Sequence, residues 1–412
     1  MNVSLIWIIS LASLALMLVR PRGIPEYVWI CGGAILLVAA RLLPLAGAEK
    51  AILDGLDVYL FLTGMMLLAE LAREEGVFDW VADIAVHHAR GSSSRLFLWV
   101  YGAGVVVTAF LSNDATAVVM TPAVLAALRR AKVDPRPHLL ACALIANAAS
   151  FLLPISNPAN LVVFDRQLPP LGHWLAVFLA PSVVSIAVTW ACLRILFRGP
   201  LRERAAPVEE ALRLRPAGWM AVAGIGTAAV VLLVSSGFGI PLGAPTCAVG
   251  LLALAMVTLR DRGAPKNVVR KVSWSVLPLV AGLFMIVEAL NRAGLMRMTR
   301  AGLGWVAALH NSGGRIIGGF AVGVVSNLMN NLPVGLAAGT ALRQMGQHGL
   351  LAQAVMIGVD LGPNLSVTGS LATILWLIAL RREDAEMTGG AFLKVGMVAM
   401  PVALALALLA LW

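Results

Sequence analysis

The chain has 412 residues, of which 60% are hydrophobic and 13% charged, with a formal net charge of +10. That balance excludes an ordinary soluble globular domain and implies a polytopic membrane protein. The basic residues lie in short connections between apolar runs, so they read as topology signals toward anionic headgroups rather than as a nucleic-acid surface.

A bilayer core takes about 20 apolar residues per helix, and on that measure the first half has apolar runs at about 2 to 19, 27 to 46, 57 to 72, 96 to 128, 137 to 164 and 172 to 197. The first run lacks a positive n-region and a small-residue cleavage site, so it is expected to stay as a helix. Between the third and fourth runs, VFDWVADIAVHHAR (77 to 90) has apolar positions at helical spacing with charges opposite, the pattern of a helix lying on the membrane surface. Its His87 and His88 are adjacent, point in different directions on a helix, and have no third ligand at metal spacing. A polar connector, RGPLRERAAPVEEALRLRP (198 to 216), then interrupts the chain, and runs resume at about 217 to 235, 240 to 260, 274 to 290, 313 to 342, 350 to 380 and 388 to 412.

The second series repeats the first. TGMMLLAELAREEG (63 to 76) matches AGLFMIVEALNRAG (281 to 294) at an offset of 218, with Gly64, Glu70 and Gly76 falling on Gly282, Glu288 and Gly294. LSN (111 to 113) matches VSN (325 to 327) at 214, and ISNPANL (155 to 161) matches VTGSLAT (367 to 373) at 212. The division is therefore 1–197, connector 198–216, and 217–412.

Runs 96 to 128 and 313 to 342 are too long for one span and carry polar centres, SND and SNLMNN, so they read as re-entrant hairpins. Each repeat is then five transmembrane helices plus one hairpin in an all-α fold. An odd number of crossings inverts the second repeat relative to the first. With both termini outside, the connections rich in arginine and lysine fall in the cytoplasm: Arg129, Arg130, Lys132 and Arg136; Arg198, Arg202, Arg204, Arg213 and Arg215; and Arg260, Arg262, Lys266, Arg270 and Lys271.

Four stretches break helical pattern inside apolar runs: SNDAT (112 to 116), PISNPAN (154 to 160), SNLMNNLP (326 to 333) and GPNLSVTGS (362 to 370). Backbone that leaves a helix at membrane depth must be satisfied by protein or by a water-lined cavity. Two hairpin tips meeting two broken helices make a transporter site between inverted repeats. The expected ligand contacts are Ser112, Asn113, Asn157, Asn327, Asn330, Asn331, Asn364 and Ser366. A carboxylate at the centre of a spanning helix costs about 3 kcal/mol on insertion scales and is functional by default. Asp114 and Asp360 are the first candidates for proton coupling, followed by Glu70 and Glu288. Asp114 and Asp360 could instead act as N-caps at half-helix starts, and Glu70 and Glu288, each followed by an arginine, could be solvated helix ends. Cys31, Cys142, Cys192 and Cys247 lack CxxC spacing, so no metal site or disulfide framework is indicated, and no cofactor is expected.

FLSNDATAVVMTP (110 to 122), NAASFLLPISNPANLVV (147 to 163) and GVDLGPNLSVTGSLATILW (358 to 376) resemble the arsenical pump membrane protein family (ArsB), within the ion transporter superfamily. The resemblance covers nearly the whole chain. It implies a secondary transporter of the prokaryotic inner membrane that exports arsenite and antimonite as neutral hydroxides, driven by proton entry. It also implies that a separate cytoplasmic, arsenite-stimulated ATPase could be a partner, for which the connector would be the docking surface. None of the four broken stretches contains a basic residue, which suits a neutral hydroxide better than an anion. The alternative on the same architecture is a sodium/proton antiporter of the NhaD type, with Asp114 and Asp360 on the ion. A membrane-embedded enzyme is not indicated, since neither HExxH nor a GxSxG elbow is present.

Overall fold

The computed structural model describes residues 2–164, 168–206, 213–259, 264–309, 312–385 and 387–411. Residues 207–212 of the connector, and Arg166, Arg260 and Arg262, lie outside these. The fold is all-helical; among the described residues no strand forms, and a single bridge joins Ser92 to Arg204.

Among the described residues twenty α-helices follow one another. The first ten are α1 (Val3–Val19), α2 (Glu26–Ala39), α3 (Leu45–Asp54), α4 (Leu56–Glu74), α5 (Val77–Ala89), α6 (Ser93–Phe110), α7 (Thr121–Ala131), α8 (Arg136–Ala148), α9 (Pro158–Phe164) and α10 (Leu171–Leu196). The second ten are α11 (Pro216–Gly237), α12 (Gly243–Thr258), α13 (Ala264–Lys271), α14 (Val276–Arg292), α15 (Leu295–Ala308), α16 (Ser312–Met329), α17 (Asn331–Gln344), α18 (Leu350–Leu361), α19 (Leu371–Arg382) and α20 (Gly389–Leu409). Packing follows the same order in both sets. α4 lies on α12 as α14 lies on α2, α6 on α8 as α16 on α18, and α9 on α17 as α19 on α7. The chain turns with left-handed glycines at Gly76 (φ 74°), between α4 and α5, and at Gly294 (φ 103°), between α14 and α15.

Among the described residues four helices are long and apolar enough to cross a membrane alone: α6, α10, α11 and α20. Two bent pairs reach that length together, α3 with α4 at 46° and α14 with α15 at 79°, while α1, α2, α12 and α16 are shorter apolar helices. Many of the apolar runs are thus divided into pieces. The expected surface helix is α5, but its apolar face is not left to lipid. Phe78, Ala82, Ala85 and Val86 are buried, and the helix packs on both α6 and α7. His87 and His88 stay on its exposed end, with His88 against Trp99.

One close helix approach comes from two G-x-x-x-G pairs facing one another. A Cβ on Gly358 would sit 2.2 Å from the Gly319 carbonyl oxygen, and one on Gly362 would sit 2.3 Å from the Gly323 Cα. Small residues at this spacing let backbones of membrane helices touch and gain dispersion where no hydrophobic drive exists. The contact locks the second hairpin to the second broken helix.

Candidate functional site

The first expected hairpin forms around 111–114. Thr116 comes back to within 2.8 Å of Thr108 through their hydroxyls and 3.5 Å of the Gly104 carbonyl. A continuous helix would hold Gly104 and Thr116 about 18 Å apart, so the chain has reversed. Beyond the tip, residues 115–120 form a single widened π turn ahead of Pro122, and Thr121 donates its hydroxyl to the Thr116 carbonyl at 3.3 Å. Such turns concentrate at functional sites.

At this tip the polar groups are unevenly used. Ser112 Oγ accepts from the Ala115 N–H at 3.1 Å, and Asn113 Oδ1 accepts from the Asp114 N–H at 2.9 Å. Ser112 therefore caps the returning helix, and the N-cap role open to Asp114 is not used: its side chain makes no capping bond. Among the described residues no hydrogen bond or ion pair reaches the Asp114 carboxylate.

The second tip is built differently. α16 continues through Ser326 and Asn327 to Met329, and the break is the single residue Asn330, at φ 74° and ψ 151°. Asn330 Oδ1 caps α17 by accepting from the Leu332 N–H at 3.3 Å. Asn327 is fully employed: its amide donates to the carbonyls of Gly323 (2.8 Å) and Gly362 (3.0 Å), and its oxygen accepts from the Ser366 N–H (3.0 Å) and hydroxyl (2.7 Å). By sequence offset Asp114 falls on Leu328, but that side chain is 67% exposed. The residue that precedes the returning helix, as Asp114 does, is Asn330.

The two broken helices cross. Asp360 is fully buried, with Oδ2 2.6 Å from the Oγ of Ser150, just ahead of the first break, and Oδ1 accepting from Asn157 Nδ2 within that break at 2.8 Å. Asn147 Nδ2 donates to Asn364 Oδ1 at 3.0 Å, and Asn364 Nδ2 donates to the Leu144 carbonyl at 2.9 Å. Asp360 lies in the last turn of α18, not at a half-helix start, so the N-cap expectation fails there. A carboxylate at a helix C-terminus faces the negative end of the dipole, and donors from the other half of the chain offset that. Asn160 Nδ2 reaches the carbonyls of Ser150, Leu153 and Pro154 and closes the first break.

Asn147, Ser150 and Asn160 were absent from the expected site. One signal was available for Asn147: it lies 213 residues before Asp360, between the repeat offsets of 214 and 212.

Two cavities flank this centre. One of about 70 Å³ is lined by Phe61, Met65 and Glu70 of α4, by Ser112 and Asp114 of the first tip and by Pro158 of α9, with no basic residue in its lining among the described residues. The other, about 700 Å³, is lined by Lys50, Asp54, Glu288, Arg292, Arg300 and Arg343 among others. Glu70 is buried and bonded to Arg73, which also meets Glu74 at 3.0 Å. Glu288 pairs with Arg292 at 2.7 Å in a more open setting. Eight of the twelve expected site residues therefore fall into three groups: Ser112, Asp114 and Glu70 on the small cavity; Asn157, Asp360 and Asn364 at the crossing; and Asn327, at the second tip, with Ser366. Asn113, Asn330 and Asn331 are buried at the tips, and Glu288 lines the large cavity.

Comparison with known proteins agrees with a transporter. Residues 5–360 match the family model CitMHS, described as a citrate transporter. An arsenical pump membrane protein of Yersinia enterocolitica is 29% identical over 81% of both chains. Another, from Escherichia coli, is 26% identical over 95% of this chain and 94% of the relative. Among solved structures, the YdaH transporter of Alcanivorax borkumensis, reported to have an unusual topology, aligns over 93% of this chain and 95% of its own with a TM-score of 0.57 at 16% identity.

Proposed function

This chain belongs to the CitMHS citrate-transporter family, and from that premise we propose that it exports arsenite and antimonite as neutral trivalent hydroxides in exchange for protons. Membership makes it a multi-pass membrane transporter; the substrate comes from the relatives named arsenical pumps. The observation that carries the reading is the Asp114 carboxylate, unpaired and facing a small cavity that holds Glu70 and no basic side chain. A citrate-like anion there would face the unpaired Asp114 carboxylate, whereas a neutral hydroxide can donate to Asp114 and accept from the Ser112 hydroxyl beside it, with Asn113 next to both on the tip.

In this reading 1–197 and 217–412 are inverted repeats in the inner membrane, with both termini outside and the connector, a docking surface for an ATPase if one is engaged, in the cytoplasm. Asp114 takes a proton when the site faces outside and yields it on the cytoplasmic side. Asp360 holds the crossing, and Asn157, Asn364, Asn327 and Ser366 keep the breaks in shape. Asn330 and Asn331 complete the ligand shell from the second tip.

Everted vesicles with an imposed proton gradient test this. Arsenite uptake that depends on the gradient and is lost in Asp114→Asn is the expected result. Sodium-driven pH change without arsenite uptake would replace the reading by sodium/proton antiport, and citrate uptake with no arsenite uptake would replace it by anion transport.

A further inference from the structure

The hydroxyl of Ser150 makes two short contacts, 2.7 Å to the Asn147 carbonyl oxygen and 2.6 Å to Asp360 Oδ2. Hydroxyl hydrogen bonds centre near 2.7–2.8 Å, so neither contact is long enough to be half of a shared bond. A serine has one proton to donate. A carbonyl has none, and an ionised carboxylate has none. If Asp360 were charged, one of the two contacts would be a bare approach of oxygen lone pairs, with all three groups fully or nearly fully buried.

We propose that Asp360 holds a proton in this conformation and donates it to Ser150, which donates its own to the Asn147 carbonyl, so that a directed chain Oδ2–H···Oγ–H···O=C locks the crossing of the two broken helices. This rests on the proton-coupled reading above and adds a second proton-holding position to it. The other oxygen of the acid accepts from Asn157 Nδ2 at 2.8 Å, which a neutral carboxyl also satisfies. Loss of the proton to water leaves one hydrogen for two acceptors. Ser150 then keeps the carboxylate and abandons the Asn147 carbonyl, or the reverse, and the first break loosens where Asn147 holds Asn364.

The remaining titratable groups on elements packed against α18 do not compete. Arg136 and Lys394 are exposed. Arg315 and Arg343 are bonded to the carbonyls of Leu411 and Val163. His138 and Cys142 lie nine and five residues before Asn147, toward the far end of α8.

The decisive measurement is infrared spectroscopy of the purified full-length protein in lipid vesicles at neutral pH, in water and in deuterated water. The wild type should show the C=O stretch of a protonated carboxyl, shifted by deuteration. It should disappear in Asp360→Asn and persist in Asp114→Asn. In Ser150→Ala the band should move, because its acceptor is gone, while Ser150→Thr should keep the wild-type position; this pair serves even if Asp360→Asn does not fold. Identical spectra for wild type and Asp360→Asn, or an unmoved band in Ser150→Ala, would overturn the proposal. No arsenite is present, so a negative result here leaves the transport reading standing, and failed arsenite transport leaves this one standing.

Discussion

The two hairpin tips share the letters SN and use them for opposite ends. At the second tip Asn327 spends three hydrogen bonds on tying α16 to the second broken helix and a fourth on the Gly323 carbonyl within α16, and Ser366 is consumed in the same knot. At the first tip, among the described residues, the Asn113 side chain only accepts from the next N–H, and the adjacent carboxylate is free toward a cavity. The lesson is that a repeated motif marks a repeated place in the fold, while the capacity left over after the fold is satisfied marks where a ligand can be held. That contrast can be broken or sharpened by substitution.

The largest effect is expected at Asp114. Asp114→Asn should lower gradient-driven arsenite uptake by about 100-fold or more, the scale of a lost proton-transfer group, while thermal unfolding in detergent stays close to wild type because no bond is removed. An equally large drop in melting temperature would make Asp114 a structural residue and erase the contrast. Next comes Asn327→Ala. Leaving several buried donors and acceptors unsatisfied should cost about 2–4 kcal/mol, read as a lowered melting temperature; a stable variant with weakened substrate binding would show the second tip to be a ligand shell as well.

Asn113→Ala should raise the half-saturating arsenite concentration by about threefold to tenfold, the worth of one hydrogen bond near 1 kcal/mol, with stability nearly unchanged. The smallest effects belong to the carboxylates on the helix flanks. Glu70→Gln removes a buried partner of Arg73 beside Asp114 and should slow transport severalfold. Glu288→Gln breaks a more exposed pair worth about 0–1 kcal/mol and should change the rate by less than about twofold. Equal effects at Glu70 and Glu288 would argue that the two cavities are equivalent.

Much of this was legible in the sequence. The four polar interruptions fall where the helices break, because proline and glycine inside apolar runs leave backbone that only protein can satisfy. Ser112 and Asp114 lie together for the simple reason that they are neighbours on one tip. What was not legible depended on which helices touch. Asn327 is saturated because Gly323 and Gly362 bring two backbones together, and the facing G-x-x-x-G pairs become meaningful only once α16 and α18 are known to pack. Asn147 lies in the last turn of α8 and Ser150 in the turn just after it, where polar residues read as ordinary packing until the crossing gives them partners. The extent of α16 past Asn327 was hidden for a related reason: nothing in SNLMNN says that the turn waits for Asn330.

The last turns of the two returning hairpin arms bear on how the molecule comes to exist at all. Arg129 of α7 donates to the Glu383 carbonyl just past α19, and Arg343 of α17 donates to the Val163 carbonyl in α9 at 2.7 Å. Each half of the chain thus finishes the other's hairpin, and α4 packs on α12 and α14 on α2 across the same division. A ribosome that has released only the first half has made helices whose closing partners are not yet translated. Two fragments cut within the connector should each be unstable in the bilayer alone and should recover a protease-resistant, functional complex only when produced together.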